Sequence, residues 1–223
     1  MSVSELSTST QNYLKAIWGL KEWSSEPVTA TLIAKQLGLK LSSVSDAVRK
    51  MAKQGLVSHT PYGSVELTEL GRQYALVMVR RHRLLESFLV QALGYTWDEV
   101  HNEAENLEHA VSDMLIERVD KFLDYPTRDP HGDPIPTVDG QITIPSAHRL
   151  TDSGAQSQVT VERISDSDPQ LLKFLEERGI VTGAVLSTRE GAPFSDSLEI
   201  QVAGGTQWVA PVSYTHLTLP TSD

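Results

Sequence analysis

Cysteine is absent from all 223 residues. Its absence excludes disulfide staples, thiolate zinc sites, iron–sulfur clusters and a cysteine nucleophile, and leaves any metal to His, carboxylate, amide, Met or water. Aromatic residues make up only 6% of the chain. No apolar run is long enough to span a bilayer, and the charged-then-apolar start of a secretory signal is missing. These absences lead us to expect a cytoplasmic protein with no membrane partner. Also lacking are a Gly-rich phosphate loop, a Gly-x-Ser-x-Gly elbow, a His-Glu-x-x-His helix, the paired Glu-x-x-His motifs of a di-iron bundle, and any paired nucleophile and base. The expectation is no enzyme and no small-molecule substrate.

What is present is ordinary for a globular chain of two or three small domains: 39% apolar and 22% charged residues. The net charge of −10 is unevenly spread. Residues 1–73 hold eight Lys and Arg against six Asp and Glu, residues 74–150 seven against thirteen, and residues 151–223 four against ten. Between Lys35 and Lys53, five basic residues face only Asp46. A locally basic segment on an acidic body suits a polyanion bound through one face.

Capping candidates at Ser7 to Thr10 precede Tyr13, Leu14, Ile17, Trp18 and Leu20 at helical spacing. Thr29 or Thr31 opens a second helix that stops at Gly38, and Leu41-Ser42-Ser43 caps a third reaching Gln54. Helix, Gly-containing turn and helix form the helix-turn-helix pattern. Two short alternating segments around Thr60 to Gly63 predict a hairpin, read as a wing. A long helix follows from Thr68 through Leu89, and another from Thr96 to about Leu123. Four prolines between Tyr125 and Pro136 exclude helix there. Strand-like alternation at residues 159–164, 184–188 and 198–202, with a helix at 169–178, predicts a small β-barrel. The last residues, 213–223, fit no element and are read as a non-native tail.

The chemistry-bearing feature is the run from His101 to His109. Continued as one helix, it places His101, Glu105, Glu108 and His109 on an arc of about 100°, beside a separate stripe of Val100, Ala104, Leu107, Val111 and Met114. His82 and Glu86 form an i,i+4 pair on the preceding helix. Acidic stripes are usually solvated faces. Here apolar neighbours suggest partial burial, and the clustered carboxylates repel one another unless a cation neutralises them. Nitrogen and oxygen donors without sulfur favour Mn²⁺, Fe²⁺, Zn²⁺ or Co²⁺, with a lean toward Mn²⁺. Asp129, His131 and Asp133 admit a catalytic reading, but their Pro/Gly-rich setting is more typical of a rigid loop.

Tyr13-Leu-Lys-Ala-Ile17, the helix-turn-helix, residues 81–86, 99–104 and 108–113, and Asp129-Pro-His-Gly-Asp-Pro-Ile-Pro136 together resemble the diphtheria-toxin-repressor family over nearly all of residues 5–210. Within it the chain is more similar to the manganese-responsive regulators of actinobacteria, because Glu105 stands where the iron regulators carry cysteine. The resemblance implies a mainly α, multidomain fold. Its parts would be a winged helix-turn-helix domain (1–74), a helical dimerisation and metal-binding domain (75–148) and an SH3-like C-terminal domain (149–212). It implies an activating metal site at Asn12, Glu105, Glu108 and His109. An ancillary site would comprise His82, Glu86 and His101, completed by Asp168 and Gln170.

The resemblance also implies a homodimeric repressor, activated by Mn²⁺ with Fe²⁺, Co²⁺ or Zn²⁺ able to substitute in vitro, that binds a palindromic operator in double-stranded DNA and controls metal-transport genes. The alternatives are an iron-responsive regulator of the same family and a metal-binding oxidase or storage protein. On the DNA-reading helix, Ser42, Ser43, Ser45 and Asp46 face outward, while Lys40, Arg49, Lys50 and Tyr62 of the wing suit phosphates. Asp46 would accept from cytosine N4 or exclude a misplaced phosphate.

Overall fold

The computed structural model describes residues 3–59, 63–152, 158–191, 198–205 and 217–220. The chain packs as two compact units. The first comprises residues 1–82 with 108–111 and 136–142, the second residues 83–107, 112–135 and 143–223.

In the first unit, α1 (Thr8–Glu22) starts at Ser7, whose side chain accepts from the Thr10 amide. Thr29 caps α2 (Ala30–Leu37) in the same way through the Leu32 amide. Gly38 closes α2 in the left-handed conformation at φ 63°, where a side chain would be strained, and so permits the sharp turn into α3 (Leu41–Lys53). The expected cap at residues 41–43 is corrected: Lys40 occupies the cap position without a side-chain bond, and Ser42 and Ser43 lie inside the helix. Strands β1 (Val57–His59) and β2 (Val65–Leu67) pair antiparallel as the hairpin. Leu14, Ile17, Ile33, Val44, Val48, Met51 and Val65 are buried together in one core, which is why the apolar spacing of all three helices is needed.

Helix α4 (Glu69–Leu93) ends four residues later than expected and runs from the first unit into the second. The Thr68 hydroxyl accepts from the Gly71 amide at its start. The single helix expected to reach Leu123 is two. Helix α5 (Trp97–Leu107) ends before Glu108, and α6 (Asp113–Phe122) begins afresh with Ser112 capping the Leu115 amide. Glu108 and His109 therefore sit in the intervening turn rather than on a helical stripe.

In the second unit, β3 (Ala147–Arg149), β4 (Gln158–Thr160), β5 (Arg163–Ile164), α7 (Pro169–Glu176), β6 (Val185–Glu190), β7 (Leu198–Val202) and β8 (Leu217–Pro220) follow. They form two three-stranded antiparallel sheets, ordered β3-β8-β5 and β4-β6-β7. Leu150, Val161, Ile164, Leu172, Leu175, Leu186 and Ile200 make their core. Strand β8 corrects the expectation that residues 213–223 fit no element: Leu217–Pro220 pairs with both β3 and β5. Among the described residues no helix is long and apolar enough to cross a membrane.

Candidate metal centres and DNA-binding surface

In the first unit, the turn after α5 carries Glu108, which is fully buried. Its carboxylate accepts from Lys15 Nζ at 2.7 and 2.8 Å and lies 2.6 Å from His82 Nδ1. Burial alone would raise its pKa. The hydrogen bond from His82 and the Lys15 ammonium outweigh that and hold it below the usual carboxylate range. Lys15, one turn after Asn12 on α1, thus supplies the positive charge that this buried carboxylate demands.

His109 Nδ1 lies 2.6 Å from Gln11 Oε1. The Gln11 amide nitrogen already donates to the carbonyls of Val3 and Leu6, at 2.9 and 3.1 Å, so the atom facing His109 is an acceptor. Nδ1 therefore carries a proton, and Nε2 is the ring nitrogen that faces the Glu108 carboxylate, 3.5 Å from Oε1. Asn12 Oδ1 is buried with no hydrogen-bond partner. An orphaned amide oxygen, a carboxylate neutralised by a borrowed ammonium and an imidazole whose Nε2 faces that carboxylate fit a divalent cation by donor chemistry.

In the second unit, Glu86 of α4, His101 of α5 and Asp166 offer one donor atom each within a short span. His101 Nδ1 is 3.3 Å from Glu86 Oε1 and 3.0 Å from Asp166 Oδ2. Burial works against protonation of His101. The carboxylates of Asp166 and Glu86 overcome it and push its pKa up to about 11, while the same contact holds Asp166 below its usual range despite burial. Glu105 Oε1 is 3.8 Å from His101 Nε2 and its side chain is only partly buried.

One expected assignment changes with this geometry. Asp168 is corrected: its side chain caps α7 through the amides of Gln170 and Leu171, it is exposed, and Asp166 stands against His101 instead. Gln170 is exposed as well. His82 is held by Glu108, and Glu105 is placed in the second unit beside His101. Lys15, Gln11 and Asp166 escaped the sequence reading. The signals available were a Lys one turn from Asn12 and the Asp168-Pro169 pair, which is a helix-start signature.

The Asp129–Asp133 segment is a rigid turn. Asp129 Oδ1 accepts from the amides of His131 and Asp133, each at 2.9 Å. Arg83 Nη1 donates to the Pro134 carbonyl at 2.6 Å, and Arg163 Nε to Asp133 at 2.5 Å. This is a structural network with no nucleophile in it.

On α3, Val44 and Val48 are fully buried while Ser42, Ser43, Asp46, Arg49 and Lys50 are exposed, as is Lys40 before it; Ser45 is half-buried and donates to the Leu41 carbonyl. Asp46 is ion-paired with Arg49, so its first partner is a neighbouring guanidinium rather than open solvent. Tyr62 lies outside the described residues.

Residues 5–65 match the iron dependent repressor N-terminal DNA binding domain, 68–137 the iron dependent repressor metal binding and dimerisation domain, and 148–209 the FeoA domain. The chain is 33% identical over 230 residues to the iron-dependent repressor IdeR of Mycobacterium tuberculosis, covering 98% of this chain and 95% of that one. Among solved structures it is similar to a manganese-dependent transcriptional repressor in complex with manganese, with 45% identity, TM-score 0.88, and 96% and 100% of the two chains covered. It is also similar to the manganese regulator SloR, with 33% identity, TM-score 0.79, and 96% and 98% covered. The chain therefore belongs to the iron-dependent repressor family, the family of the diphtheria toxin repressor, whose members are dimeric, metal-dependent, DNA-binding transcriptional repressors.

Proposed function

We propose that the chain is a manganese-activated repressor, working in the cytoplasm as a homodimer on a palindromic operator that controls metal-ion transport. Its division of labour would be DNA binding by residues 1–74, metal binding and dimerisation by 75–148, and an SH3-like domain at 149–212. The observation that carries the reading is the meeting of α1 with the turn after α5, Lys15 against Glu108 and Gln11 against His109, on the helix that also holds the unpartnered Asn12 oxygen. All donors are nitrogen or oxygen, and the set around them is rich in carboxylate, which suits Mn²⁺ better than softer ions.

When bound, a divalent cation supplies the positive charge that holds these donors together. The chain's own residues do the rest. Gln11 fixes the His109 ring and its tautomer, Glu108 provides the buried negative charge, and Asn12 presents a neutral oxygen from α1. Drawing α1 onto the 108–109 turn restricts the DNA-binding segment, so the two α3 helices of a dimer spend more time at the spacing of successive major grooves, about 34–36 Å. Glu105 joins the same ligand set in this proposal, and Glu86, His101, Asp166 and His82 form the ancillary one.

The experiment is operator binding after chelation and after adding Mn²⁺, Fe²⁺, Co²⁺ and Zn²⁺ singly. Tight binding restored by Mn²⁺ at the lowest free-ion level supports the proposal, and affinity indifferent to all four ions refutes it. An iron-responsive reading is favoured by one observation, the neutral Asn12, which leaves the site a charge poorer than an all-carboxylate set. Restoration by Fe²⁺ at lower free-ion levels than Mn²⁺ selects it.

A further inference from the structure

Leu39 and Leu41 are 45% and 49% exposed, the most open large apolar side chains among the described residues of 3–82. A single exposed leucine is ordinary on a protein surface. This pair stands in unusual company: exposed Lys40 lies between them, and Lys35, Arg49, Lys50 and Lys53 are exposed on α2 and α3. The two leucines also differ in what the local fold asks of them. Leu39 sits just before the cap position of α3, where an apolar residue commonly packs toward the fourth helical residue, here Val44. Its amide also closes the α2 stop by donating to the Ala34 carbonyl at 3.0 Å. Leu41 is the first residue of α3, a position that sets its side chain no such task.

The neighbours of Leu41 decide what it can meet. Leu41, Ser45 and Arg49 follow at i, i+4 and i+8 and form one ridge about 80° wide, clear of the buried Val44, Val48 and Met51. The polar members of that ridge are turned onto the helix itself. Ser45 Oγ donates to the Leu41 carbonyl at 2.9 Å, Arg49 Nε donates to the Ser45 carbonyl at 3.3 Å, and the Arg49 guanidinium is ion-paired with Asp46. The leading end of the ridge is thus apolar, and the second helix of this motif presents its N-terminal residues to base edges in the major groove. The ridge lies within the DNA-binding domain, and the exposed basic residues around it match the charge of phosphates. On the base edges of that groove the apolar group is the C5-methyl of thymine, which 5-methylcytosine also carries. Against any other edge the leucine would cover hydrogen-bonding groups without answering them, so one side chain both rewards the methyl and disfavours its absence.

We propose that Leu41 is a specificity-determining residue, its side chain the subsite for a pyrimidine C5-methyl group in each half of the operator. The inference rests on α3 as the DNA-reading helix and is independent of which metal activates the protein. One buried methyl is worth about fourfold in affinity, and the two half-sites of a dimer together about fifteenfold.

The test uses full-length, Mn²⁺-loaded protein and a duplex that it selects from a random pool. Each thymine is replaced in turn by deoxyuridine, in both half-sites together, which deletes the methyl and leaves base pairing intact. One symmetric pair of positions is expected to lose about fifteenfold in anisotropy titrations. At that pair 5-methylcytosine should bind better than cytosine by a similar factor. Leu41→Ala is expected to bind the thymine and uracil duplexes equally while keeping the wild-type salt dependence, because its phosphate contacts are untouched. Leu39→Ala should keep the uracil penalty. Uracil tolerated at every position, 5-methylcytosine no better than cytosine, a penalty that survives in Leu41→Ala, or one lost in Leu39→Ala instead overturns the proposal. Failure here is separable from failure of the wider reading. If Arg49→Ala weakens binding to every duplex while the penalty survives in Leu41→Ala, only the subsite falls. Mn²⁺-indifferent binding with a Leu41-dependent penalty sinks only the metal-activated mechanism.

Discussion

Replacing Lys15 by Met should make the protein bind its activating metal more tightly. In the structure the Lys15 ammonium occupies the position of a cation on Glu108, with bonds of 2.7 and 2.8 Å to a carboxylate that is 0% exposed, while the Lys15 side chain is 16% exposed. A metal that takes Glu108 must displace those bonds, and a hydrogen bond to a charged group is worth about 1.5–3 kcal/mol. Methionine keeps the stem and removes the competitor. At 1.4 kcal/mol per decade, the expected gain in Mn²⁺ affinity is roughly tenfold to a hundredfold. The metal-free protein should lose stability at the same time, because the buried Glu108 carboxylate is then left to the imidazoles of His82, at 2.6 Å, and His109, at 3.5 Å. Breaking a fully buried pair costs about 3–5 kcal/mol, less here because Lys15 is partly solvated. Competition against a fluorescent chelator measures the first effect and thermal melting of the metal-free protein the second. Lys15→Arg, which keeps the charge, should leave both close to wild type. Unchanged or weaker Mn²⁺ binding in Lys15→Met would refute the reasoning, whatever happens to the melting temperature.

Four further expectations follow from the same geometry. Gln11→Leu frees the His109 ring and its tautomer, so Mn²⁺ affinity should fall about 10–100-fold in the chelator assay while the dimer persists in sedimentation; an unchanged affinity contradicts the positioning role. Arg49→Ala should weaken DNA binding and reduce the salt slope by about one unit in anisotropy titrations, without altering metal uptake. Asp46→Ala, by releasing Arg49 from its ion pair, should tighten non-specific DNA binding, and a loss of affinity would instead favour direct base contact by Asp46. Gly132→Ala combines a positive φ with a close carbonyl, so denaturant unfolding should show a loss of at least about 1–2 kcal/mol, and a neutral result would mean that the turn is not pressed against β5.

The DNA-binding half was the most legible part of the chain. Thr29 and Gly38 carry local chemistry, a side-chain cap and a left-handed stop, that needs no distant partner to be read. The metal region was legible in residue type but not in placement. Nothing in Glu108-His-Ala-Val-Ser112 is Gly or Pro, so a helical wheel carried through it looks natural, and only Ser112 as a fresh cap betrays the break. That break is what turns Glu108 toward Lys15 and His82, and His109 toward Gln11. Such contacts join residues more than ninety positions apart in two of the three cases, which no local pattern encodes. Asp168 was misplaced for the opposite reason. The Asp-Pro pair at 168–169 is a strong local signal for a helix cap, against which the resemblance to the family set Asp168 as a ligand. Strand β8 was missed because a short segment with no turn signals of its own is defined only by what it pairs with.

The central claim is that binding of metal by the Asn12–Glu108–His109 set is coupled to DNA binding. Linkage makes the claim measurable, since the factor by which Mn²⁺ tightens operator binding must equal the factor by which operator DNA tightens Mn²⁺ binding. Both are obtained from one closed cycle: DNA affinity with and without Mn²⁺, and Mn²⁺ affinity with and without DNA, on a duplex selected from a random pool by the Mn²⁺-loaded protein. The account predicts two equal factors well above one in the wild type, collapsing to about one in His109→Ala while that variant stays a folded dimer. A wild-type factor of one, or a factor that survives in His109→Ala, would contradict it.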